Sequence, residues 1–327
     1  MTKHFKFWII SIVAVTCIVL ITPLLLAQYI SMKEGATRPS FEERFPVTVD
    51  PVNKTITEDA QVNAYLESQD FSIQATTLFS SSKFEEILVR FAIAISQILE
   101  NNNLALVSSE KFVTITAGLR KEEVANKFTH ALGWSDGEKK EFMTIQEGLY
   151  FPGIYAVVNV ASPNDVKNLV NERFALNVLS RYGTSTAEIV PLNMALTIAS
   201  LIERETIGTE DMRIISGIIW NRIFAEMNLQ LDATLQYAKA TNKKTPVWWS
   251  EVRPQDKFIK SPYNTYIHGG LPPTPIANPS VAAIIAALNP LKTKCIFYFH
   301  DKKGDLHCTP TYKEHVALLK QYYGRGR

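Results

Sequence analysis

From Phe7 to Met32 the chain carries no charged side chain, and Phe7–Leu26 is almost wholly apolar. Twenty helical residues rise about 30 Å, the thickness of a bilayer's hydrocarbon core. A helix apolar on every face needs either the middle of a large core or lipid around it. Trp8 and Tyr29 fall near the two ends of the run, where amphipathic rings suit a membrane interface. The run is long for the apolar part of a cleaved secretory signal, and no clean small-x-small cleavage site follows it. The sequence therefore predicts an uncleaved single-pass anchor contacting membrane lipid through Phe7–Leu26. Lys3 and Lys6 precede the span while Lys33, Arg38 and Arg44 follow it, so charge bias does not set its orientation.

The chain has 327 residues, enough for one or two domains beyond the anchor. A net charge of +2 gives no electrostatic footprint for nucleic acid. Its 3 cysteines are too few for a disulfide framework. Cys17 lies in the apolar run, and Cys295 and Cys308 flank a hairpin turn at Lys302–Asp305 that does not place them directly opposite. We expect them as unpaired small core residues, with a bridge as the alternative. The six histidines form neither a HExxH motif nor a tight cluster, and no phosphate-cradling glycine loop or GxSxG elbow appears. No metal or cofactor is expected.

Residues 33–46 read as a linker, with mixed charge, Gly35, Pro39 and Pro46. Glu58–Glu67 and Lys83–Glu100 read as helices, Phe112–Ile115 as a strand and Arg120 to about Leu132 as a helix. Pro152-Gly153 reads as a turn packed by aromatics. Beyond it come a helix over Pro191–Glu205, a helix from an N-cap at Thr209 to about Met227, and a short apolar helix over Ser280–Leu288. Cys295–His300 and Leu306–Thr309 form a hairpin, closed by a helix over Tyr312–Tyr322. The fold class is α+β.

Ala199–Thr206 is where an apolar helical run meets two acids and then breaks. Residues two apart on a helix point about 200° apart, so Glu203 and Glu205 cannot both face one cleft. They are not a retaining pair of carboxyls, which lie about 5 Å apart across a sugar. Glu205 occupies the last turn, where the helix dipole disfavours a carboxylate and favours the protonated acid. Glu203 or Arg204 is left to tie down a second helix. Leu229 and Leu231 alternate as in a strand, which would put Gln230 and Asp232 on one face, as suits hydrogen bonds to sugar hydroxyls and N-acetyl groups. Tyr263, Asn264 and Thr265 offer an aromatic and two short polar side chains on a loop, and Leu271 with Pro272 and Pro273 sets a rigid wall. The plainer reading of Asn264 and Thr265 is a loop that caps itself. Arg222 is either a partner for a cleft acid or a helix-surface ion pair. Trp248-Trp249 has the look of a sugar platform in a variable stretch.

Taken in order, Ala199–Thr206, Leu229–Asp232, Tyr263–Tyr266, Gly270–Pro273 and Ile276–Pro279 resemble the YceG-like family of endolytic murein transglycosylases. The resemblance runs from about Thr114 to the C-terminus and is densest over Leu196–Leu288. It implies a catalytic domain over 136–327, a divergent LysM-like module over 47–135, a linker over 33–46 and an anchor over 1–32. It implies Glu205 as the catalytic acid, with Glu203, Gln230, Asp232, Tyr263, Asn264, Thr265, Leu271 and Pro272 about the substrate. The implied substrate is the glycan strand of peptidoglycan, outside the bacterial cytoplasmic membrane, and the implied partners are peptidoglycan synthases. The family pattern is altered at Gly153 and Ile154, where an acid and a threonine are usual, and at Ala233, which replaces a proline. Two alternatives stay open: a hydrolytic glycosidase using Glu205 with Asp232, and a non-catalytic wall-binding scaffold.

Overall fold

The computed structural model describes residues 44–64, 110–209, 211–241 and 246–324. The apolar run, most of the linker and the helix expected over 83–100 lie outside them. Among the described residues no helix is long and apolar enough to cross a membrane.

The fold is α+β, with strands in three two-stranded antiparallel ribbons among the described residues. In chain order come β1 (Val49–Asp50), β2 (Thr55–Ile56), β3 (Glu110–Ile115), α1 (Lys121–Leu132), α2 (Asp136–Phe142) and β4 (Gly153–Val158). Next are α3 (Pro163–Phe174), continued by one wide turn over Ala175–Leu179, then α4 (Thr184–Ile189), α5 (Leu192–Glu205), α6 (Met212–Phe224) and α7 (Asp232–Thr241). The chain ends with α8 (Val281–Leu288), β5 (Phe297–His300), β6 (Leu306–Thr309) and α9 (Tyr312–Tyr323).

Two cores hold these elements. The first is built from β3, α1, α2, β4 and α3, where Phe128, Trp134, Phe142, Tyr150 and Tyr155 are buried against one another. Ring centroids from Phe128 to Phe142 lie 5.2 Å apart, a favourable tilted contact. Trp134 Nε1 donates to Ala161 O at 3.0 Å, so the indole is buried without losing its hydrogen bond. This core runs from Val113 to Val170 and crosses residue 135, where the sequence reading set a domain boundary. Ile115 pairs with Gly153, so Pro152-Gly153 opens a strand and not a turn.

The second core centres on α5, whose residues Ala195 to Ile202 are all buried. Burying each Leu or Ile is worth about 1.5–3 kcal/mol, so this one helix anchors the domain. Helix α8 lies against it, and its Ala283, Ala286 and Ala287 are small enough to let the two backbones approach. Ser200 Oγ accepts from Ile276 N at 3.0 Å, tying the loop before α8 to the middle of α5. On the far side Trp220 Nε1 of α6 donates to Ala287 O at 2.9 Å. Helix α6 starts at Met212, with Asp211 and not Thr209 at the capping position.

Cys295 and Cys308 are joined, with Cα atoms 5.6 Å apart, which corrects the expectation of two unpaired thiols. Cys308 does not face Cys295 in the ladder; it faces Tyr298. The bridge forms because Asn221 Nδ2 holds the carbonyls of Thr293, at 2.8 Å, and Cys295, at 3.0 Å, turning the chain back before β5 begins.

Candidate active site

Glu205 is the last residue of α5, and the chain leaves it extended through Thr206. The half-turn offset between the two acids operates as the helix geometry requires. Glu203 faces α8, where Oε2 accepts the Ser280 N–H at 3.0 Å and the Ser280 hydroxyl at 2.7 Å. Glu205 faces away from it, with Oε2 accepting the Tyr298 hydroxyl at 2.8 Å and Oε1 lying 3.5 Å from Ala233 N. Burial raises the Glu205 pKa above the ordinary carboxylate range. The Tyr298 hydrogen bond and the Ala233 N–H oppose that rise, Asp232 adds to it, and Arg222 opposes it from a distance. Tyr298 is itself pushed well above the usual phenol range, first by burial and then by the Glu205 charge.

Arg222 on α6 is buried, and its guanidinium donates to Ile296 O at 2.8 Å and to Leu229 O. Two of its N–H groups go to backbone carbonyls, and among the described residues no ion pair joins it to Glu205, on which it acts through its charge. Tyr266 OH donates to Asp232 Oδ1 at 2.6 Å, which brings a second carboxyl to the same face. Five groups from five segments thus converge: Glu205, Arg222, Asp232, Tyr266 and Tyr298.

The strand expected at Leu229–Leu231 is absent. Gln230 adopts φ +50° and Asp232 begins α7, so the two side chains do not share a strand face. Leu229 and Leu231 are buried to anchor this bend, while Gln230 and Asp232 are exposed. Asn264 and Thr265 are 0% and 2% exposed. Asn264 Nδ2 donates to Lys257 O and Ile259 O, and Thr265 Oγ1 accepts from Leu231 N at 3.0 Å. Asn264 caps its own loop, as in the plainer reading of that motif, whereas Thr265 ties the loop to Leu231 and Thr234, more than 30 residues earlier. Tyr263 packs at a tilt against Tyr237, centroids 4.7 Å apart, and shares a hydrogen bond with Thr274 Oγ1. Leu271 packs on the second core and Pro272 is buried. The rings of Trp248 and Trp249 carry the guanidinium groups of Arg120, at 4.6 Å, and Arg204, at 3.8 Å, each of which occupies a ring face.

Sequence reasoning missed Tyr298 altogether and Tyr266 as a partner of Asp232. Tyr298 lies 93 residues from Glu205 on a hairpin, with no local pattern to mark it. Tyr266 stood inside a quoted motif but gave no sign of its acceptor. Among the described residues no group of three or more His, Cys, Asp or Glu side chains is placed to hold a metal ion.

The model of the YceG-like family matches residues 81–321, well over half of the chain. The chain belongs to the YceG-like family. This YceG-like chain is 31% identical over 180 residues to the endolytic murein transglycosylase of Streptococcus pneumoniae serotype 2 (strain D39 / NCTC 7466), covering 54% of this chain and 32% of that protein. It is 37% identical over 133 residues to the endolytic murein transglycosylase of Bacillus subtilis (strain 168), covering 41% of this chain and 35% of the relative. It therefore spans about a third of the length of these curated relatives. Its fold is similar to the crystal structure of a YceG-like protein from Listeria monocytogenes, with a TM-score of 0.56 at 24% identity, covering 63% of this chain and 75% of that one.

Proposed function

We propose that this chain is a lytic transglycosylase that cuts bonds between N-acetylmuramic acid and N-acetylglucosamine within peptidoglycan glycan strands. The observation that carries the reading is the Glu205 carboxyl, which ends the central helix of a YceG-like domain and is biased toward its protonated form. Glu205 protonates the glycosidic oxygen as the bond to the muramoyl C1 breaks, leaving an oxocarbenium-like centre. The muramoyl C6 hydroxyl attacks C1, and the Glu205 carboxylate takes its proton. The product is a 1,6-anhydro ring, and Glu205 is returned to the acid form. The substrate supplies its own nucleophile, so one carboxyl suffices and no cofactor is invoked.

Other parts of the proposal rest on separate features. The uncharged run over 7–32 supports a single-pass anchor in the bacterial cytoplasmic membrane, with the catalytic domain on the outer side. The Cys295–Cys308 bridge supports that side, since disulfides persist in oxidising compartments. The unit of two antiparallel strands enclosing two helices, Glu110–Val158, supports the LysM-like reading, with its end moved beyond residue 135. The exposed Gln230 and Asp232 are the residues best placed for sugar contact, with Tyr263 and Leu271 partly exposed beside the same loop. Glu203, Asn264, Thr265 and Pro272 would act by holding the cleft's shape. A peptidoglycan synthase as partner is an expectation of the family resemblance alone.

The test is mass spectrometry of products from purified peptidoglycan incubated with the full chain in detergent, wild type beside E205Q. Anhydromuramoyl ends from wild type alone are the expected result. Hydrated reducing ends would assign hydrolysis to Glu205 with Asp232, whose exposed carboxyl lies on the same face. Cleavage by neither protein would favour a wall-binding scaffold.

A further inference from the structure

A carboxylic acid that donates a proton must carry it on the oxygen that faces the substrate, and Glu205 has two oxygens in different surroundings. The Tyr298 hydroxyl has one proton, and among the described residues its hydrogen-bond partner is Glu205 Oε2 at 2.8 Å. An oxygen that accepts this proton is the carbonyl-type oxygen of the neutral acid. The acid's own proton then sits on Oε1, whose nearest donor is Ala233 N at a long 3.5 Å. We propose that Tyr298 is a positioning residue that fixes the transferable proton of Glu205 on Oε1, by keeping Oε2 as an acceptor throughout the cycle. This rests on the reading of Glu205 as the acid of a transglycosylase.

The same arrangement serves the second half of the reaction. When Oε1 gives up its proton, both oxygens become acceptors. The Ala233 N–H, in the first turn of α7, and the Tyr298 hydroxyl then hold the anion until Oε1 is reprotonated by the attacking hydroxyl. Tyr298 can do this only if it does not move, and its strand is fastened on three sides. Asn221 holds the carbonyls of Thr293 and Cys295, Arg222 holds Ile296 O at 2.8 Å, and the disulfide binds Cys308, which faces Tyr298 across the ladder. The other groups acting on Glu205 are Asp232 from α7 and Arg222 from α6, while Tyr266 lies on the loop beyond, bonded to Asp232. None of these donates to Oε2.

The experiment is a carbon-13 titration of the glutamate side-chain carboxyls in the full chain in detergent, with Glu205 assigned by the signal lost in E205Q. It is paired with the pH profile of kcat/KM on peptidoglycan. In Y298F the Glu205 carboxyl is expected to titrate about one unit higher, the size of a lost hydrogen bond to a charged group. The alkaline limb of kcat/KM, set by ionisation of the acid, should move up by the same amount, and the plateau should fall about twofold as the proton distributes over both oxygens. Tyr298→3-fluorotyrosine keeps the ring and strengthens the donor, so it should move both readings down; it stands in if Y298F folds poorly. Unmoved titration in both variants would overturn the proposal, as would a moved titration with a fixed alkaline limb. Failure of the underlying reading would look different: wild type would make no anhydromuramoyl ends, while the titration would still report the contact.

Discussion

Glu203 accepts two hydrogen bonds from Ser280, one from the backbone N–H and one from the hydroxyl, and so fixes the N-terminus of α8 to the end of α5. Ser280 Oγ in turn accepts from Ala283 N at 3.1 Å, the ordinary capping contact. The two acids of the Glu-Arg-Glu segment therefore divide: one braces helices, the other meets Tyr298 and the start of α7. E203Q keeps an acceptor but loses the charge, and it is expected to cost about 1–2 kcal/mol of stability with activity within several-fold of wild type. S280A should cost about 1 kcal/mol in the same way. Urea unfolding beside a turnover assay checks both. If E203Q were as inactive as E205Q, the division of labour would be wrong.

Glu147 predicts a pH dependence of stability that has nothing to do with the reaction. It is 6% exposed, and its carboxyl accepts the Lys121 N–H at 2.8 Å and the Tyr237 hydroxyl at 3.4 Å. Burial pushes its pKa up to about 8, Glu122 adds to the rise, and the Lys121 N–H and the Arg120 charge oppose it. In the unfolded chain a glutamate titrates near 4.3. Between those values the native state binds the extra proton, so stability falls as pH rises. The contribution is full below about pH 4 and is lost by about pH 8. E147Q cannot ionise and is expected to flatten the melting temperature over that window, being the more stable form at pH 8. Thermal melts from pH 5 to 9 check this; parallel curves for the two proteins would contradict it.

The Cys295–Cys308 bridge closes a loop with a sequence separation of 13 and should be worth about 3 kcal/mol. Its removal by C295S/C308S is expected to lower the melting temperature by several degrees and to reduce turnover, because β5 carries Tyr298. Added reductant should bring wild type to the level of the double variant and leave the variant unchanged. Equal stability of oxidised and reduced wild type would show that α6 alone holds the hairpin.

How far the sequence could be read follows from which forces are local. The helix ending at Glu205 was visible because its buried face repeats every three or four residues, and so was the opposition of Glu203 and Glu205. The bend at Gln230 was not, because two flanking leucines look the same in a strand and in a buried turn. What decides it is the Gln230 N–H bond to Thr265 O at 3.1 Å, a contact between distant segments. Gly153 suggested a turn, yet its pairing with Ile115 is settled by a strand 38 residues earlier. Tyr298 and the disulfide were hidden for a further reason. Both depend on Asn221 reaching the carbonyls before β5, and no spacing in the sequence announces where a chain will be turned back.

That last region also yields a strong steric prediction. Helix α6 passes the segment before β5 so closely that a Cβ added at Gly217 would lie 2.2 Å from Leu291 O and 3.1 Å from Thr293 Cγ2. The first obstacle is backbone and is itself fixed, since Leu291 N donates to Arg213 O at 2.8 Å. No rotamer change relieves it, so the helix and the segment must separate. On an open helix face, alanine in place of glycine stabilises by up to about 1 kcal/mol. At Gly217 the sign should reverse, with G217A costing about 2–4 kcal/mol. Gly137 in α2 serves as the control, because a Cβ there meets only Ser135 Oγ at 3.8 Å. G137A is expected to be neutral or mildly stabilising. The separation forced by G217A should also displace the start of β5 and hence Tyr298, so turnover should fall beyond what the lost stability explains. Urea unfolding of both variants with a turnover assay under fully folded conditions makes the comparison. A G217A protein as stable and as active as wild type would mean that the segment from Leu291 to Cys295 can move without disturbing the acid.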